Sequence, residues 1–305
     1  MNLLMPLMQR EWMQHRFGWA LTATVPLLLA VLLLSFGNVQ VQMDAEMGDS
    51  GMPPVVAVAA LSVVASMAVM LLLATVTSLV TVVGLARRDH ADRSVEFWLS
   101  LPIGHSRSLA VPMGVHLVLV PLLALLWGAL AGVLVSAVLV SRTYGFGAWL
   151  DLPWSDAAKL IGVLLTRSAL GWPLALLWLA PLILLAMLMF AWMRRWGLVV
   201  FGLLLAIGNS PLGAIAGYHW LPNWLSAMAQ GAAGSLYSGG DLHINAEGAG
   251  AAMELAGKAP AWLISDFASS VAALASPVLL GGLVFAAACF FGLVQWRKRG
   301  ASVAV

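Results

Sequence analysis

Few side chains in this sequence could do chemistry, and almost none stand at a spacing that chemistry needs. The thirteen acids are Glu11, Asp44, Glu46, Asp49, Asp89, Asp92, Glu96, Asp151, Asp156, Asp241, Glu247, Glu254 and Asp266. All of them read as lying outside the interiors of the long apolar runs. A proton- or sodium-coupled carrier keeps carboxylates within the bilayer, because the driving ion needs a titratable or coordinating oxygen there. The pattern argues against that class. His116 lies within an apolar run with no acid near it on its own helix, so it reads as a satisfied core histidine rather than a ligand. There is no HExxH, no GxSG and no pair of intramembrane aspartates, which excludes the familiar hydrolase constellations. Gly257-Lys258 lacks both the earlier glycine and the following hydroxyl of a phosphate-binding loop. The chain is therefore expected not to be an enzyme, with no catalytic residue, no metal and no cofactor of its own. Cys289 is the single cysteine and permits no intrachain disulfide.

Composition says what must hold these residues. Hydrophobic residues make up 62% of the chain and charged ones 9%, whereas soluble domains run at about half and a quarter. Lipid is the solvent, and the expectation is an all-α integral membrane protein forming one transmembrane domain over residues 1–305. A helix needs roughly 20 apolar residues to cross the hydrocarbon core. Six runs qualify: 17–37, 54–86, 108–141, 173–193, 197–217 and 271–296. No cleavable leader is read ahead of the first.

Orientation follows from the basic residues. Arg10, Arg16, Arg87, Arg88, Arg93, Arg107, Arg194, Arg195, Arg297, Lys298 and Arg299 fall on one side. Arg142, Lys159, Lys258 and Arg167 fall on the other. Both termini are expected in the cytoplasm, and tryptophans cluster near both interfaces as aromatic belts do. Arginine outnumbers lysine twelve to three, which fits a GC-rich bacterial genome and hence a bacterial inner membrane. The basic residues form no stripe of the kind that binds nucleic acid.

Several segments lie outside the spans. Leu4, Met8, Trp12, His15 and Trp19 recur at helical spacing, which suits an interfacial helix on the inner surface ahead of the first span. "SDAAKLIGVLLTRSALGW" carries Asp156, Lys159, Thr166 and Arg167 on one face. It reads as an amphipathic outer-surface helix; the alternative is an extension of the fourth span, with Arg167 lining a cavity. "GNSPLG" places Asn209, Ser210 and Pro211 inside the fifth run, either as a kink or early end, or as a break facing a substrate path. Residues 218–270 suit short helices on the outer face. Ala124, Gly128, Gly132 and Ser136 make a small-residue stripe on the third span, serving helix contact within the subunit or between subunits.

The most pointed feature is the insert between the second and third spans. Seven of residues 86–112 are charged. Val95, Trp98, Leu99 and Pro102 share one helical face, and Asp92, Arg93, Glu96 and Ser100 share another; Pro102 and Gly104 end the helix. The expected result is a short amphipathic helix on the cytoplasmic side, joined to two overlong rods. Such a knob moves the rods when pushed, and the push would come from a separate protein. The bland alternative is a solvated loop resting on the membrane.

The stretch "EFWLSLPIGHSRS" resembles the signature of ABC-2-type permeases, the membrane subunits of one class of ABC transporter, with Ser100, Leu101, Pro102 and Ile103 in register. The six-span plan, the N-terminal surface helix, the "WMRRWG" turn and the long outer segment are similar to that family as well. The resemblance implies a permease that dimerises, homo- or heteromerically, and works with two copies of a cytoplasmic ABC ATPase carrying ATP and Mg. It implies Glu96, Phe97, Trp98, Leu99, Ser100, Leu101 and Pro102 as the segment coupled to that ATPase, with Arg10, Glu11, Trp12, Arg194 and Arg195 as secondary contacts. Arg167, Asn209, Ser210 and Pro211 are pathway candidates, and the expected cargo is amphipathic or lipid-like. The competing reading is a non-transporting scaffold or sensor that binds a cytoplasmic partner through the same insert.

Overall fold

The computed structural model describes residues 4–37, 53–91, 104–193, 196–208, 220–239 and 249–302, and every regular element among them is helical. Helix α1 (Leu4–Phe36) is followed by α2 (Pro54–Ala91), which opens on a proline where the missing N–H costs nothing. Helix α3 (His105–Gly114), a π-helical turn (Val115–Leu119) and α4 (Val120–Tyr144) continue as a single rod. Gly145, at φ 91°, takes the left-handed conformation that turns this rod into the short α5 (Phe146–Leu150). Helix α6 (Trp154–Met193) has 40 residues. Then come α7 (Gly197–Gly208), α8 (Trp220–Leu236), α9 (Ala249–Ala272), a 3-10 turn (Ala273–Ala275) and α10 (Pro277–Ser302).

Among the described residues, five helices are long and apolar enough to cross a membrane: Met5–Phe36, Pro54–Leu85, Ser106–Tyr144, Trp154–Met193 and Pro277–Lys298. The protein is thus an all-α, multi-pass membrane protein. The run expected as the fifth of six spans appears as the shorter apolar helix Gly197–Ile207, and residues 209–217 lie outside the described ones. At 1.5 Å per residue, α6 is about 60 Å long, twice the ~30 Å hydrocarbon core.

Helix α6 is the hub, packing against α2, α4, α7, α8, α9 and α10. One core joins Val82 and Leu85 of α2, Leu109 of α3, Met187 and Ala191 of α6, and Ala286, Cys289 and Leu293 of α10. A second joins Ala175 and Trp178 of α6 to Met228, Ala232 and Leu279. The small-residue stripe serves helix contact inside the chain: a Cβ on Gly128 would come within 2.8 Å of the Met67 Cα, and one on Gly132 within 2.6 Å of the Val63 Cα. Glycine lets α4 lie directly on the α2 backbone.

Two sequence expectations are corrected. The N-terminal surface helix and the first span are one continuous helix, because nothing between Leu4 and Phe36 breaks the ladder except Pro26, deep inside the run. Likewise "SDAAKLIGVLLTRSALGW" is the first part of α6 rather than a separate surface helix; Pro173 sits inside that helix without ending it. The segment 218–270 does supply two helices packed on α6, but α9 runs to 24 residues and is not short.

Candidate functional site

Helix α1 makes almost no apolar core: none of the most apolar 18-residue window in its span is buried. Its buried face is near its start, where Leu7 and Glu11, one helical turn apart, are 3% and 0% exposed. Met8 and Trp12, on the apolar face read from the sequence, are exposed instead. In lipid the apolar face turns outward and the polar one inward, the inverse of a soluble helix.

What Glu11 meets inside is a charge cluster assembled from three segments. Arg88, near the end of α2, donates from Nη1 to Glu11 Oε2 at 2.9 Å and from Nη2 to Oε1 at 2.6 Å, the paired fork that suits guanidinium and carboxylate. His116 Nε2, 1% exposed, lies 3.1 Å from the same Oε2. His15, one turn after Glu11, brings its Nε2 to 3.8 Å from that oxygen. The His15 and His116 rings meet edge-on with centres 4.8 Å apart, and Trp19 covers both at 6.1 Å and 5.7 Å.

The π-helical turn puts His116 there. Pro112 precedes the turn and Pro121 follows it, each lacking the N–H that an α-helix needs. The turn closes instead through Val120 N–H donating to the Val115 carbonyl, five residues back. Pro121 would also leave the Leu117 carbonyl without its helical partner; Trp172 of α6 donates its indole N–H there at 2.7 Å. The site is therefore pinned to the hub helix.

A second charge cluster lies in the other half of the bundle. Arg167 is 1% exposed. It donates from Nε to Asp266 Oδ2 at 2.6 Å, from Nη1 to the Ser235 carbonyl at 2.7 Å and from Nη2 to Ser270 Oγ at 2.6 Å. Ser238 donates its backbone N–H to Asp266 Oδ1 at 3.2 Å and its hydroxyl to the same oxygen. Burial alone would raise the Asp266 carboxyl, but the hydrogen bonds from Ser238 and Arg167 outweigh it and hold it below the ordinary value. Gly171, one turn after Arg167, keeps the space open, since a Cβ there would lie 2.2 Å from the Ser235 carbonyl oxygen. This cluster ties α6 to α8 and α9.

These placements revise the sequence reading residue by residue. Glu11 is not a surface contact: its carboxylate is enclosed. Arg167 neither lies on a surface nor lines an open path, because its donors are taken up by Asp266, Ser235 and Ser270. Glu11 lies near the start of the Met5–Phe36 helix and Asp156 near the start of Trp154–Met193, so both acids belong to span-length helices but sit at their ends rather than at their middles. His116 does have an acidic partner, on a different helix from its own. Arg10 is half-buried and Trp12 exposed. Glu96, Phe97, Trp98, Leu99, Ser100, Leu101 and Pro102 lie outside the described residues, as do Arg194, Arg195, Asn209, Ser210 and Pro211. Helix α2 runs to Ala91 and α3 begins at His105, so the rods that carry Arg88 and His116 are the ones flanking the charged insert.

Comparison with protein-family models, with curated proteins and with solved structures finds no match.

Proposed function

We propose that this chain is the membrane subunit of an ATP-driven exporter of the ABC-2 type, moving an amphipathic or lipid-like molecule. It would work as a dimer with a cytoplasmic ATPase that supplies the ATP and Mg chemistry. One observation carries the reading. Glu11 ties Arg88 and His116 together at the bases of the two rods that flank the charged insert, so both rods and α1 share one anchor. A displacement of the insert then has a stiff route into the bilayer: along α2 through Arg88, along the π-helical turn through His116, and into α1 through Glu11. The Arg88 fork on Glu11 fixes the pair's geometry as well as its distance, so the three segments move together rather than separately. In this reading Glu96, Phe97, Trp98, Leu99, Ser100, Leu101 and Pro102 meet the motor, and Arg10 and Trp12 stand beside the anchor. Both termini would be cytoplasmic, in a bacterial inner membrane.

Affinity purification of the tagged full-length chain from its native membrane tests the proposal. An ATPase should co-purify, and its turnover should rise in the presence of the chain and lose that stimulation in a Glu96→Ala, Trp98→Ala variant. If no nucleotide-hydrolysing protein is retained, or if the double variant stimulates as well as the parent, the proposal is wrong.

A further inference from the structure

We propose that Glu11, His15 and His116 form a binding site for a zinc-like divalent cation, and that Arg88 competes with the ion for Glu11. This inference goes beyond the export reading and does not depend on it. Two imidazole nitrogens and one carboxylate oxygen are a donor set that suits borderline first-row cations, zinc foremost. The three ligand atoms, Glu11 Oε2, His15 Nε2 and His116 Nε2, all lie within 4.8 Å of one another. Ligands around a tetrahedral zinc at about 2.0–2.1 Å stand roughly 3.3 Å apart, and the two contacts to Oε2 here are 3.1 and 3.8 Å. Imidazoles sharing one such ion place their ring centres about 5 Å apart, close to the 4.8 Å seen at a near-perpendicular 88°. The remaining pair, the two histidine nitrogens, lies within 4.8 Å, so a closure of about 1.5 Å shared between two side chains completes the set.

A further observation points the same way. His15 Nε2 is buried yet has no hydrogen-bond partner among the described residues, although it faces a carboxylate oxygen. A buried polar atom left in that state is costly, and a cation at the centre of the three donors would occupy it. The competition follows from charge. Glu11 Oε2 accepts from Arg88 Nη1 as well as facing both histidines, while Oε1 accepts from Nη2. An ion on Oε2 would repel the Nη1 group, leaving Arg88 on Oε1 alone or displacing it. Binding requires His116 to present its Nε2 lone pair, so any proton there leaves as the ion arrives.

The test uses full-length protein purified in detergent through a tag without histidine, stripped with a chelator and titrated with Zn2+ against a chromophoric competitor. The expected result is one high-affinity equivalent per chain. It should weaken at least tenfold in His15→Ala, which gives up ring contacts with Trp19 and His116 but no hydrogen bond, and whose cooperative thermal unfolding shows that it still folds. Binding should survive replacement of His90, His105, His219 and His243 by glutamine, and tighten severalfold in Arg88→Gln. If the parent binds no more tightly than His15→Ala, or if the fourfold glutamine variant loses the equivalent, the site does not exist. An unchanged affinity in Arg88→Gln overturns the competition. Because the readout is binding alone, loss of the export reading would leave this result standing, and the reverse holds too.

Discussion

Replacing Asp266 with alanine would leave the Arg167 guanidinium, 1% exposed, with the Ser235 carbonyl and the Ser270 hydroxyl but without a counter-charge. Truncating one partner of a buried ion pair costs about 3–5 kcal/mol, whereas replacing both by apolar residues of similar volume is often neutral or stabilising. The expected order is therefore parent, then Arg167→Leu with Asp266→Leu within about 1–2 kcal/mol of it, then Asp266→Ala last by about 3 kcal/mol or more. Unfolding in mixed detergent, followed by fluorescence of the fourteen tryptophans, measures all three. Acid gives a second arm with its sign fixed in advance. The folded Asp266 carboxyl sits below its ordinary value, so the unfolded chain binds more protons as pH falls. The pair's contribution is then fully present above pH ~5 and is lost as pH drops past the ordinary aspartate value of about 3.9. The parent should lose stability over that window more steeply than the double leucine variant. A cost below about 1 kcal/mol for Asp266→Ala would refute the reasoning by showing that water reaches Arg167. So would a double variant no better than the single one.

Gly132→Leu should destabilise the chain by roughly 1–3 kcal/mol in the same assay, since its Cβ would meet the α2 backbone at the Val63 Cα, 2.6 Å away. Gly162→Leu, which has nothing within 4 Å, is the control and should change little. Trp172→Phe keeps the buried ring but removes the N–H that serves the Leu117 carbonyl. A loss of about 1–3 kcal/mol is expected, and amide exchange of the 115–120 segment should speed up.

The spans were legible because a continuous apolar run of membrane length leaves the backbone no option but helix. The glycine stripe was legible too, since only a close helix contact calls for small residues four apart. Neither charge cluster could be read, and the reason is geometric. Glu11 reaches Arg88 and His116 across 77 and 105 residues of sequence, and Arg167 reaches Asp266 across 99. Helical spacing relates neighbours three or four apart and is silent at such separations. A further signal was mixed: of the apolar stripe on α1, Met8 and Trp12 are exposed, whereas His15 and Trp19 close over the cluster beside Glu11. An acid one turn before a histidine, both near the start of a span, is the pattern that could have found the site.

If the export reading holds, how α1 is held decides what the cluster can transmit. A helix anchored by a broad apolar interface moves only when a whole core repacks. Helix α1 has no such interface over its apolar window; it is tied through Glu11 at its start and through Trp127 Nε1, which donates to the Ala23 carbonyl at 2.9 Å. Between and beside these ties lies an apolar cavity of about 330 Å³ lined by Trp12, Trp19, Met70, Thr77 and Trp127. With the Trp127–Ala23 bond acting as a pivot, a shift of Arg88 and His116 would swing the N-terminal part of α1 and change the width of that cavity.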